Sequence, residues 1–77
     1  MSVPKFTTLD LRPIFARGDE PCDLIRTTVD ALTPGLGVTL IAPFAPTRLI
    51  ESRRSAGYLT TMERRQDGAW AVKLWRE

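Results

Sequence analysis

Apolar and polar positions change rhythm several times along this chain, and each change marks an element. In FTTLDLR (6–12) the pattern alternates: Leu9 and Leu11 fall on one side, Thr8, Asp10 and Arg12 on the other. That is the period of a half-buried strand. Pro13 cannot donate to a ladder and ends it. Residues 13–20 read as a polar connection, with Asp19 as N-cap and Pro21 in the first turn of a helix. PCDLIRTTVDAL then spaces Cys22, Ile25, Val29 and Leu32 at helical intervals. The spacing predicts a helix over 21–32 with Asp23, Arg26 and Asp30 toward water, and TPG (33–35) stops it.

GVTLIAP (37–43) is apolar on both faces, as a central strand is. After a turn bracketed by Pro43 and Pro46, TRLIESRRSAG predicts a weaker helix over 47–57. Thr47 caps it, Gly57 ends it, and Leu49, Ile50 and Ala56 turn inward. Arg48, Glu51, Arg53 and Arg54 turn outward. YLTTMERR (58–65) and AWAVKLW (69–75) are strands joined by the hairpin chemistry of QDG. The last strand puts Trp70, Val72 and Leu74 on one face and Ala71, Lys73 and Trp75 on the other.

The order is therefore βαβαββ. Right-handed crossovers place both helices on one face of one four-stranded sheet, an α+β two-layer sandwich. Its expected core is Leu9, Leu11, Ile25, Val29, Leu32, Val38, Leu40, Leu49, Trp70, Val72 and Leu74. The reverse face has no helix to cover it and is expected to show Asp10, Arg12, Thr39, Ile41, Lys73 and Trp75.

Composition narrows the chemistry. Seventy-seven residues make one domain with a small core, which a second copy or a partner would supplement. The chain has one cysteine and no histidine. That excludes an internal disulfide, an ordinary zinc site and every imidazole-based triad, and no cofactor or metal is expected. The charge is +2 overall. It is uneven: residues 1–38 carry four basic and five acidic side chains, residues 39–77 seven and four. GVTLIAPFA, the longest apolar stretch, is too short to span a bilayer, and MSVPKFTTLD has no apolar central run. A cytoplasmic protein without a membrane partner is the expectation by elimination.

Four segments, LDLRP, PCDLIRTTVDALTPG, LIAPFAP and the W-x-V of the last strand, resemble the family called domain of unknown function 2249, within the TusA/SirA-like sulfur-carrier superfamily. The resemblance covers roughly residues 8–76 and implies a mixed sheet of strand order 1-2-4-3. Sulfur carriers of that superfamily have a similar LDxRG opening, then a Cys-Pro-x-Pro motif at the mouth of the first helix whose cysteine carries a persulfide. With Pro21 matched to the second proline of that motif, Gly18 stands in the carrier cysteine's place and Asp19 in the first proline's. Pro13 replaces the glycine of the opening. Cys22 lies four positions after Gly18.

Four candidate sites follow. Cys22 sits at a helix N-terminus, which favours a thiolate, with Arg17 nearby in sequence. Asp19, Glu20 and Asp23 oppose that charge, and the phase with Ile25 and Val29 predicts a buried, structural sulfur. Asp10 and Arg12, two apart on one strand, form a polar pair on the open face. Ile41 and Trp75 on the same face predict an apolar patch that would bury against a second copy. Arg48, Arg53, Arg54, Arg64 and Arg65 would form a footprint for an anion or a nucleic acid, yet no aromatic interleaves them for stacking bases, which disfavours nucleic acid. The expected function is a non-catalytic binding module for a protein or small anionic ligand, through Asp10, Arg12, Arg17, Ile41 and Trp75. The alternatives are a persulfide carrier or redox protein acting through Cys22 and a weak nucleic-acid binder acting through the arginines.

Overall fold

The computed structural model describes residues 4–76. Its elements are β1 (Lys5–Asp10), α1 (Arg12–Ala16), α2 (Cys22–Asp30), β2 (Leu36–Ala42), α3 (Thr47–Ser55), β3 (Leu59–Arg64) and β4 (Trp70–Trp75). The sheet order is β1-β2-β4-β3. β1 pairs parallel with β2, and β4 runs antiparallel to both β2 and β3. The sheet is therefore mixed, as expected, and β1, β2 and β3 all point the same way. α2 and α3 each return the chain between two of these parallel strands. Both helices accordingly begin at one end of the sheet, beyond the C-terminal ends of β1, β2 and β3.

Helix α1 lies where a loop was expected. Pro13 does not merely end the strand; it stands in the first turn of α1, where its fixed φ fits and its missing N–H is not needed. Gly18 closes the helix at φ +78. The Asp19 N–H donates to the Ile14 carbonyl at 3.2 Å and the Gly18 N–H to that of Phe15 at 3.0 Å. This is a Schellman closure. Five residues are too few to show a helical period. Neither expected cap operates: Pro21 and Pro46 occupy the N-cap positions, with no side-chain cap bond at either helix.

The buried core unites Leu11, Ile25, Val29, Leu32, Val38, Leu40, Ile50, Tyr58, Val72 and Leu74, with Leu9 and Leu49 packed against it. Tyr58, absent from the expected core, is buried and donates its hydroxyl to the Val29 carbonyl at 3.2 Å. Trp70 is only half-buried and Ala56 is exposed. Trp70 pairs with Ala42 and Arg64 at the last rung of the β2–β4–β3 ladder, at the rim of the core.

The open face also differs from expectation. Ile41 is 5% exposed although it points away from the helices. Its row runs Asp10, Ile41, Ala71, Glu63. At this end an ion pair from Arg12 to Asp67 (3.1 Å) crosses from β1 to the β3–β4 turn, over the strand that carries Ile41. Trp75 pairs with Gly37, four positions along β2 from Ile41, so the two do not share a patch. Trp75 instead meets Phe6 edge-on, with ring centroids 5.8 Å apart. The Phe6 ring lies over Gly37: a Cβ there would stand 2.5 Å from it. Lys73 Nζ sits 5.2 Å from the same ring.

Candidate functional site

A cleft of about 620 Å³ opens at the end of the sheet where α2 and α3 begin. Its walls are α1, the first turns of α2 and α3, and the chain leaving β2. The sequence builds each wall locally. Pro21 and Pro46 start the two helices without donating, so no side chain closes either N-terminus. The PFAP run (43–46) that follows β2 does not pair with β1 or β4 and projects Phe44 beside the cleft. Phe44 is 50% exposed and packs edge-on against Phe15 of α1, centroids 5.0 Å apart. The two phenyl rings and Leu49 form an apolar wall.

The charges around it are mixed but leave a cationic excess. Arg26, Arg48 and Arg53 line the cleft, as do Glu20 and Asp23. Arg26 is engaged by Asp23 at 2.8 Å. Among the described residues Arg48 makes no ion pair, and the one partner of Arg53 is Asp30 at 3.4 Å. Arg53 does not face water as expected: its side chain is 17% exposed and its Nε is buried without a hydrogen-bond partner. A buried guanidinium with one long contact is a costly arrangement that an anion relieves. Each helix start adds roughly half a positive charge through its unsatisfied N–H groups.

Cys22 is exposed, not packed inward. It is the first residue of α2, before the turn on which Ile25 and Val29 reach the core, so helical phase did not bury it. Its thiol lines the cleft and donates to Glu20 Oε1 at 3.1 Å. That bond, with the negative charge of Glu20 and Asp23, pushes its pKa up; only Arg26 opposes. Arg17 is occupied elsewhere, on Asp19 at 3.2 Å.

The other sequence candidates are scattered. Asp10 and Arg12 do form a pair: Arg12 Nη2 and Nε both bond the carboxylate, at 2.8 Å and 3.0–3.3 Å. The backbone N–H of Arg12 adds a 3.0 Å bond. The Arg12 contacts hold Asp10 at a pKa of about 2. With Asp67, which Arg12 and Arg65 both approach, the pair acts as a structural clasp between the end of β1 and the β3–β4 turn. Arg54 is spent on Thr60 Oγ1 at 2.8 Å. Arg48 and Arg53 belong to the cleft, while Arg64 and Arg65 line a separate depression at the β3–β4 turn with Glu63 and Asp67, so the five arginines form no single footprint. Phe15 and Phe44 were absent from the sequence candidates. The available signal was the proline-bracketed PFAP, an aromatic in a segment that can neither pair nor coil.

Among the described residues no cluster of three or more potential metal ligands occurs, and no helix is long and apolar enough to cross a membrane. Residues 8–76 match the model of a protein family described as an uncharacterized conserved protein, DUF2249. No curated protein and no solved structure matches the chain.

Proposed function

The chain belongs to the domain of unknown function 2249 family over residues 8–76, and from that premise we propose that it is a non-catalytic binding module for a small anionic ligand with an apolar body. The observation that carries this reading is the shared cleft: two parallel helices start on it without side-chain caps, beside Arg48 and the half-satisfied Arg53. The anion would meet the helix starts and the arginines, and the apolar body would lie on Phe15 and Phe44. Kinship with the sulfur carriers is part of the proposal. The strand order and the placement of the cleft at the start of α2 support it, and with Pro21 matched to the second proline of the carrier motif, Gly18 would stand in the carrier cysteine's place. A cytoplasmic setting belongs to the same reading. So does a second copy on the open sheet face, its patch centred on Phe6, Trp75 and Leu59 rather than on Ile41.

Titration with phenyl phosphate, inorganic phosphate and benzyl alcohol, followed by amide chemical shifts, tests the cleft. Phenyl phosphate should perturb Cys22, Asp23, Thr47 and Arg48 and bind at least tenfold tighter than either fragment. Arg48→Glu should remove most of that binding, since it replaces an attraction by a repulsion. Perturbations spread over the surface, or unchanged by Arg48→Glu, would refute the reading.

One observation favours a second reading, a persulfide carrier at Cys22: the thiol is exposed and lines the cleft. Its raised pKa weighs against that, because the thiolate is the nucleophile. Incubation with a cysteine desulfurase and its substrate, followed by mass spectrometry, decides. A single added sulfur that Cys22→Ala abolishes would establish the carrier.

A further inference from the structure

We propose that the free edge of β3 docks an extended acidic segment of another protein, which joins the sheet as a fifth strand. The hairpin bonds fix which backbone groups of β3 face outward. The Arg65 carbonyl accepts from the Gly68 N–H at 3.1 Å, and the Arg65 N–H donates to the Ala69 carbonyl at 2.7 Å. With Gly68 at φ +87, this is a three-residue loop closed by a glycine bulge. Arg65 and Ala69 therefore form a hydrogen-bonded pair, and alternation along an antiparallel ladder turns Glu63, Thr61 and Leu59 toward β4. The N–H and C=O groups of Thr60, Met62 and Arg64 then face outward, on a strand with no further neighbour.

Edge strands are normally blunted by charge, proline or a bulge. This one has an unbroken register and no proline, and its first four residues, Leu59 to Met62, carry no charge. Leu59 is 38% exposed and Met62 40%. They give an added strand one apolar contact on each face, the mode in which backbone bonds supply affinity and alternate side chains supply selectivity. Met62 pairs with the core residue Val72, so the side chains of Thr60, Met62 and Arg64 lie on the helix face. Arg54 reaches the same edge through its bond to Thr60. Arg65 is shared with Asp67 and Glu63 lies on the opposite face, but Arg54 and Arg64 make no ion pair among the described residues, so the helix side of this edge is cationic.

The other edge differs. Lys5 and Leu11 donate to Gly35 and Ile41, which turns the backbone of Phe6, Thr8 and Asp10 outward. Its acid, Asp10, is already paired with Arg12, which leaves Lys5 as its one unpaired charge among the described residues, so the two unpaired arginines make β3 the better edge for an acidic segment.

Two synthetic eight-residue peptides, alternating Glu-Val and alternating Lys-Val, provide the probes, with hydrogen exchange at individual amides as the readout. The Glu-Val peptide should slow exchange at Thr60, Met62 and Arg64 at least tenfold and leave Thr61 and Glu63 unchanged. Met62→Pro removes one outward N–H without touching the β3–β4 ladder, a substitution that edge strands accept, and should abolish the protection. Arg54→Glu with Arg64→Glu should transfer the preference to the Lys-Val peptide, a readout independent of the proline variant. Equal protection by both peptides, or none by either, would overturn the proposal. Protection that rises with protein concentration in the absence of peptide would assign the edge to a second copy instead.

Discussion

The one sulfur atom shows how a carboxylate decides what an exposed thiol can do. Cys22 stands at a helix start, which lowers a thiol pKa, yet the thiol donates a hydrogen bond to Glu20 that favours its protonated form. The hydrogen bond and the adjacent negative charge favour the neutral form, so at pH 7 Cys22 should alkylate with iodoacetamide more slowly than a free thiol. Glu20→Gln should accelerate the reaction several-fold by removing that charge, and mass spectrometry of timed samples reads both rates; equal rates would show that Glu20 does not control the thiol. At Asp10 the sign is opposite. The Arg12 bonds depress its pKa to about 2, so the clasp is fully present above the ordinary aspartate range near 4 and is lost as pH falls from there through about 2. Melting temperature should decline over that interval, and Asp10→Asn should flatten this part of the slope. An identical decline in both proteins would place the acid sensitivity elsewhere.

Among the elements, the ends are fixed by a few residues with specific backbone demands. Gly57 closes α3 at φ +94, with Gly57 and Tyr58 N–H groups donating to the Arg54 and Arg53 carbonyls at 3.0 Å each. A Cβ at Gly57 would meet nothing within 4 Å, so Gly57→Ala isolates the conformational cost. It should destabilise by about 1 kcal/mol, or roughly 5 °C in melting temperature, and no change would mean that the backbone relaxes at that corner. Gly57 was legible as a helix end because it follows a stretch with helical period. The equivalent closure at Gly18 was not, because α1 lacks two full turns and offers no period to close. β2 was read as central from its apolar run, and pairing on both sides bears that out. Strand patterning failed where tertiary contacts decide burial. Phe6 shares a face with Thr8 and Asp10, and only the cross-strand pairing with Gly37 and its neighbour Trp75 makes it part of an apolar row. Helical phase likewise placed Cys22 with Ile25 and Val29, but a first-turn residue lies at the rim of the core. The cleft was legible only as the neighbourhood of the first helix N-terminus. That α3 begins on the same cleft follows from β3 running parallel to β2, which the expected crossovers implied without showing that the two helix starts converge.

At the scale of the whole molecule the surfaces are separated. The cleft lies on the helix side, beyond the C-terminal ends of the three parallel strands. The row Phe6, Gly37, Trp75, Leu59 lies on the opposite face, at their N-terminal ends. A second copy on that row would leave the cleft and the outward backbone groups of β3 free, sharing only Leu59 with a strand added at that edge. The core is small for an isolated domain, and two half-buried aromatic rings beside the exposed Leu59 leave apolar surface for a partner to bury. Phe6 and Trp75 are already packed edge-on, so their geometry costs little further side-chain entropy on association. Trp75→Lys places a charge where the partner's rings would lie and should weaken self-association at least tenfold, equivalent to about 1.4 kcal/mol. Sedimentation at micromolar concentration checks this, and phenyl phosphate affinity should stay unchanged because Trp75 does not line the cleft. A wild-type protein already monomeric there would remove the dimer, whereas a joint loss of dimer and ligand binding would show that the two faces are coupled through the sheet they share.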